Sequence, residues 1–198
     1  MPAIITPKNI TWHDPIVLEF GFTGLEEVDA ISVVRREIRD QFSETVKYFE
    51  QCLYVVKLRG DVAVTYGTEF SPVIYIGEGN AKARLNGHAQ WIARLLLSVP
   101  NLRIAVHVAE IKRRNKTDLC EFVEADLIHW FCQKYNLLPW FNRQRERSKE
   151  GRYNYDSDAE KAFRDVISVG SGSSFLWAIR PTHNNNETWS AYDSNPGC

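Results

Sequence analysis

The chain has 198 residues, 44% hydrophobic and 25% charged, with a formal net charge of -1. These values sit near the averages for folded globular proteins and exclude a disordered, fibrous or collagen-like chain. The length suits one domain with a full core, or a small catalytic module extended at both ends, rather than two large domains. The opening Met1-Pro2-Ala3-Ile4-Ile5-Thr6-Pro7-Lys8 lacks the basic and then apolar pattern of a signal peptide, and no run is apolar for the roughly 18 residues a membrane span needs. A soluble cytoplasmic protein with no membrane partner is expected.

Taken in chain order, Pro15 to Gly21 reads as a short strand, ended by the turn residues Gly21 and Gly24. Leu25 to Phe49 carries Val28, Ile31, Val34, Ile38, Phe42 and Val46 at spacings of three or four, which predicts a helix with one apolar face. Gln51 to Leu58 is rich in β-branched and aromatic residues and stops at the turn signal Arg59-Gly60-Asp61, as a strand would. Asp61 to Ser71 is expected as a hairpin connection. Val73 to Ile76, between Pro72 and Gly77, fits a short buried strand. From Ala81 to Val99 the period becomes helical, with Leu85, Ala89, Ile92 and Leu96 as the apolar stripe and Pro100 as the stop. Leu102, Ile104, Val106 and Val108 then alternate with Arg103, Ala105, His107 and Ala109, the clearest strand signal in the chain.

The basic connector Lys112 to Lys116 precedes Asp118 and Glu121, whose spacing resembles a capping box opening a helix that runs to about Tyr135. Arg143 to Arg152 is a basic polar run, Asp158 to Val169 a further helix, Gly170 to Ser174 a turn, and Asn184 to Cys198 a polar tail. Strand, strand, helix, strand, helix predicts an α+β module, a small three-stranded antiparallel or mixed sheet packed with helices. The expected division is an N-terminal strand-and-helix extension over residues 1 to 50, a core over 51 to 150, and a C-terminal extension and tail over 151 to 198.

Four cysteines, Cys52, Cys120, Cys132 and Cys198, include no Cys-x-x-Cys pair and do not suggest a disulfide framework. His129 and Cys132 lie one helical turn apart, but a zinc site needs about four ligands and no others are suitably spaced, so core packing is expected. Charge is unevenly distributed: residues 51 to 152 carry a net +6, between segments of -4 and -3. A basic middle between acidic ends favours a polyanion partner.

Cleaving a phosphodiester requires a group to deprotonate water, a cation to meet the charge gathering on phosphoryl oxygens, and help for the departing oxygen. Tyr54, Tyr75, Arg84, His88 and Glu124 supply such groups. Arg84 and His88 are four residues apart on one helix face, and a guanidinium there can grip phosphate in a bidentate way. Taken singly, the tyrosines read as ordinary strand aromatics and Arg84, His88 and Glu124 as surface residues. Glu78, Lys57 and Lys82 lie near enough to contribute, but surface roles are expected of them, and structural roles of His107 and His129.

In their joint spacing these residues resemble the GIY-YIG nuclease family. Cys52-Leu53-Tyr54 stands where the family has Gly-Ile-Tyr, with a cysteine for the first glycine, and Tyr75-Ile76-Gly77 matches the second tripeptide in full. The family's helix arginine falls on Arg84, and the histidine of some restriction-enzyme members falls on His88. Its metal-binding glutamate falls on Glu124, and its asparagine, with a proline three residues earlier, on Asn142 of Pro139-Trp140-Phe141-Asn142. Asn136 also lies a suitable distance after Glu124, and the proline context favours Asn142. The resemblance covers about residues 51 to 145.

It implies a metal-dependent endonuclease hydrolysing double-stranded DNA with one Mg²⁺ or Mn²⁺ on Glu124. Tyr54 would be the leading candidate for general base, with Tyr75 and His88 tuning or relaying the proton. Arg84 would hold the scissile phosphate and lower the tyrosine's pKa together with the metal. Asn142 would order the loop after the glutamate helix or touch phosphate. With no partner module evident in the flanks, a type II-like restriction or phage-defence role is the leading expectation. The flanks would then supply target recognition or the interface of a homodimer or higher homo-oligomer. A structure-specific repair or recombination nuclease is the alternative, and a catalytically inactive nucleic-acid-binding module is the reading from another class.

Overall fold

The computed structural model describes residues 4–19, 26–42, 51–99, 102–111, 119–145, 147–170 and 175–180. The fold is α+β. Its centre is an antiparallel sheet built on three long strands, β4 (Cys52–Arg59), β7 (Val73–Gly79) and β8 (Arg103–Ile111), with β4 in the middle. Near-continuous apolar sequence in β4 agrees with burial on both faces: Leu53, Tyr54, Val55 and Val56 are all fully buried.

The sheet is wider than the sequence predicts. Two short N-terminal strands, β2 (Ile10–Trp12) and β3 (Ile16–Leu18), pair one after the other along the outer edge of β8, making five strands. The opening pair β1 (Ile4–Ile5) joins β9 (Asn154–Tyr155) in a parallel two-stranded ladder. Residues from both extensions thus join elements far away in sequence. The segment after β4 forms its own hairpin, β5 (Val62–Tyr66) and β6 (Glu69–Ser71), and β10 (Trp177–Ile179) adds to β5 in parallel, giving a separate small mixed sheet.

Among the described residues, five α-helices pack around these sheets. α1 (Glu27–Gln41) lies against α3 (Ala89–Ser98) and buries Val34 and Ile38 of the expected stripe together with Ala30, which that stripe did not include, while Val28 is exposed. The predicted continuation of that helix to Phe49 falls in 43–50, outside the described residues, as do Asp118 of the predicted capping box and the predicted polar tail. α2 (Ala81–Gly87) starts from Asn80, whose side-chain oxygen accepts the Ala83 N–H at 2.9 Å. The helix predicted over 81 to 99 is divided at His88, after the weak helix formers Asn86 and Gly87. α4 (Leu119–Tyr135) packs on β7 and β4, and α5 (Ser157–Ile167) is capped by Asp156, which accepts the Ala159 N–H at 2.8 Å.

One hydrophobic core joins these parts, from Ile5 and Leu18 through the central sheet to Phe163 and Ile167. Behind α4, the carboxylate of Asp126, 3% exposed, accepts hydrogen bonds from the Gly151 N–H at 2.7 Å and the Tyr155 hydroxyl at 2.5 Å. Among the described residues no helix is long and apolar enough to cross a membrane.

Candidate active-site cleft

Tyr54 pairs with Gly77, and Val56 with Tyr75, so in a pleated antiparallel ladder both tyrosines project from one face as a diagonal pair. Their ring centres are 5.9 Å apart, tilted by 37°. The glycine between them is a steric requirement: a Cβ on Gly77 would stand 2.5 Å from the Tyr54 hydroxyl and 2.7 Å from Tyr75 Cε1. The third residue of the Tyr75-Ile76-Gly77 tripeptide is therefore the floor on which both rings lie.

Cys52, which stands in place of the first glycine, is accommodated without disturbing the tyrosines. Its thiol points to the start of α2, donating to the Gly79 carbonyl at 3.3 Å, and burial pushes the thiol up to about 12. It behaves as a small buried packing residue at the site's edge.

The break after Gly87 places His88 beside the tyrosines. Its ring meets Tyr75 edge to face at 4.9 Å, while its backbone N–H still donates to the Arg84 carbonyl at 3.0 Å. Arg84, four residues earlier, leaves its side chain 59% exposed with Glu78 at 3.8 Å, a loose pair. Glu124, in the second turn of α4, is half-buried, and its charge acts on both tyrosines. Tyr54, Tyr75, Arg84, His88 and Glu124 are thus electrostatic neighbours, drawn from two strands and two helices.

Asn142 does a different job. Its side-chain oxygen accepts the Ile76 N–H at 2.9 Å and its amide donates to the Ile76 carbonyl at 2.7 Å, while the Phe141 N–H bonds to the Ile74 carbonyl at 2.9 Å. Residues 141 and 142 finish the free edge of β7 as another strand would. Asn136 instead occupies a left-handed conformation, φ 57°, at the end of α4, a position where asparagine is the usual alternative to glycine. Of the two asparagines, Asn142 is the one that touches the Tyr75-Ile76-Gly77 strand.

Protonation follows from burial. Tyr54 is fully buried, and desolvation raises its phenol, reinforced by Tyr75 and Glu124; Arg84 pulls the other way with less effect. The sequence-based expectation that Arg84 helps lower this phenol's pKa therefore holds in sign, but burial outweighs it. Tyr75 is raised first by burial, and Glu124 and Glu78 add to this while the contact with Tyr54 and the charge of Arg84 oppose it. His88 is lowered by burial and by the cations Arg84 and Arg143, so its imidazole is neutral near pH 7. Two buried polar atoms of the site, the Tyr54 hydroxyl, which faces Tyr75, and His88 Nε2, have no hydrogen-bond partner of good geometry among the described residues. Buried polar atoms left open in this way are uncommon and suit a site completed by water or ligand.

No three His, Cys, Asp or Glu side chains among the described residues cluster as a metal cage. A lone carboxylate beside neutral phenols does not fit zinc, which takes about four ligands of its own. It does fit Mg²⁺ or Mn²⁺, which bind through one or two carboxylates and complete the shell with water and phosphate oxygens. Glu124 would be the anchor, with Glu78 the other carboxylate acting on Tyr75.

Outside the cleft, His129 and Cys132 have separate surroundings. Cys132 is buried in the core, whereas His129 Nδ1 lies against Arg145 and 3.4 Å from Glu150. His107 on β8 is lowered to about 4 by burial and by Lys57 and Arg59, and Lys57 itself is lowered to about 8 by burial. Sequence reasoning missed Arg143 as a neighbour of His88. Its place directly after Asn142 was the available signal. No protein-family model, curated protein or solved structure matches this chain.

Proposed function

We propose that the protein is a metal-dependent endonuclease that hydrolyses DNA phosphodiesters, acting as a type II-like restriction or phage-defence enzyme. The observation that carries this reading is the convergence of Tyr54, Tyr75, His88, Arg84 and Glu124 around a buried phenol whose interaction with Tyr75 falls short of a well-formed hydrogen bond. Hydrolysis needs an acceptor for a proton from water, a cation for the phosphoryl oxygens and a carboxylate for a divalent ion, and the cleft holds one of each.

Arg84, exposed and only loosely paired, grips the scissile phosphate through its planar fork. Tyr54 lies under that phosphate and takes the proton from the attacking water. Its resting phenol is protonated, so its own proton must leave as substrate loads; His88, neutral near pH 7, accepts it only in passing and releases it to solvent, because burial and the cations Arg84 and Arg143 disfavour its charged form. Tyr75, between the two rings, orients both. Glu124 would hold a divalent cation, whose charge would polarise a phosphoryl oxygen and offset the carboxylate's effect on the tyrosines. Asn142 holds β7, and with it Tyr75, in register.

Incubation of purified protein with plasmid and phage DNA, in Mg²⁺ or in EDTA, followed by sequencing of the ends, tests chemistry and specificity together. Mg²⁺-dependent cutting at a shared sequence is expected, abolished by Glu124→Gln with binding retained. Ends that mark flaps or nicks instead would point to a structure-specific repair enzyme. Binding without cutting would point to an inactive nucleic-acid module.

A further inference from the structure

The basic run after α4 contains Arg143, Arg145, Arg147, Lys149 and Arg152. From sequence these look alike, and the structure sorts them. Arg145 is tied to both oxygens of Glu150, at 2.5 and 2.8 Å, with only 14% of its side chain exposed. Lys149 bonds Glu121, and Arg152 lies over the Phe122 ring and donates to the Ser148 carbonyl at 3.3 Å. Arg147 is among the charges that favour the Glu150 carboxylate. These four hold the segment to α4 or to itself.

Arg143 differs. It is exposed, forms no ion pair among the described residues, and acts on His88. Its backbone leaves from a fixed point, because Asn142 is clamped to Ile76 and Phe141 stacks on Trp91 with ring centres 3.9 Å apart. Arg84 reaches the same histidine from α2. Two guanidinium groups, on different elements, therefore act on one imidazole whose Nε2 has no hydrogen-bond partner among the described residues. The Phe141–Trp91 stack that fixes the start of the Arg143 segment lies beside that ring, with the Trp91 and His88 centres 5.6 Å apart.

We propose that Arg143 is a second phosphate-binding residue of the cleft, gripping the nucleic-acid backbone phosphate next to the one held by Arg84. The nature of the ligand rests on the nuclease reading; the placement of the arginine does not. A phosphate contact displaces counterions, so it leaves a mark that a purely structural residue does not.

The test is equilibrium binding in EDTA, by fluorescence anisotropy, to a short labelled DNA duplex and to its separated strand over a range of salt. Arg143→Ala is expected to weaken binding similarly for unrelated sequences and to reduce the slope of log affinity against log salt by about one. Arg143→Lys should keep most of the slope. Arg164→Ala, on distant α5, should leave it unchanged. An unaltered slope in Arg143→Ala with native circular dichroism overturns the proposal, while Mg²⁺-dependent cutting by the unmutated protein would leave the nuclease reading standing. A reduced slope in a protein that never cuts would sink the nuclease reading and keep the phosphate contact. If the unmutated protein binds neither DNA, both fail.

Discussion

Tyr54 combines complete burial with a hydroxyl that, beyond its contact with Tyr75, finds no well-formed hydrogen bond among the described residues. A buried polar group in that state costs roughly 1–3 kcal/mol. Tyr54→Phe is therefore expected to fold at least as stably as the unmutated protein, up to about 1 kcal/mol better by urea denaturation, while losing about a hundredfold or more in cleavage. A large loss of stability would instead make the hydroxyl structural. Gly77→Ala is expected to fail in the opposite way. Its Cβ would meet the Tyr54 hydroxyl and ring carbon at 2.5 and 2.6 Å, so the two rings or the strand must shift, at about 1–3 kcal/mol of stability together with activity. His88 and His107 titrate below the ordinary histidine value, His107 at about 4. A histidine whose folded pKa is depressed contributes stability that is full above its unfolded value and lost as pH falls toward the folded one. Urea midpoints should accordingly decline between about pH 6.5 and pH 4, and His107→Gln should flatten part of that decline.

At the scale of elements, the β7 edge decides whether the cleft keeps its shape. Asn142→Ala removes two hydrogen bonds to Ile76 and leaves a buried N–H and carbonyl open. A loss of roughly 2–4 kcal/mol in thermal or urea unfolding is expected, together with reduced cutting, because β7 carries Tyr75. Asn136→Gly, at the left-handed position, should leave activity intact and stability within about 1 kcal/mol of the unmutated protein. Equal effects of the two substitutions would undo the distinction between the asparagines. Much at this scale was legible in the sequence. The strands at 52–59, 73–79 and 103–111 follow runs of β-branched and alternating residues, and α1 buries Val34 and Ile38 of the stripe its spacing predicts but leaves Val28 exposed. The division at His88 was not, because apolar periodicity continues through it; only Asn86-Gly87 hinted at a break. β1, β9 and β10 are two or three residues long, too short for periodicity to register, and exist because a distant strand offers them partners.

At the scale of the whole molecule, the extensions are structural partners of the central sheet. β2 and β3 cover the outer edge of β8, α1 covers α3, and the Asp156 N–H bonds to the Ile5 carbonyl at 2.9 Å. A fragment of residues 51 to 150 would expose the β8 edge and the apolar side of α3, and is expected to be aggregated or unfolded by NMR, while the full chain unfolds in one transition. A well-dispersed spectrum from the fragment would show that the core stands alone. The sequence by itself determined the α+β class, the long strands and the positions of the groups capable of phosphodiester chemistry, because periodicity, turn residues and side-chain type are local properties. Tertiary structure alone decided what those groups have around them: the burial that raises Tyr54, the clamp between Asn142 and Ile76, and which arginine of a basic run acts on His88. Burial, electrostatic neighbours and edge pairing depend on residues dozens of positions away, so no local pattern encodes them.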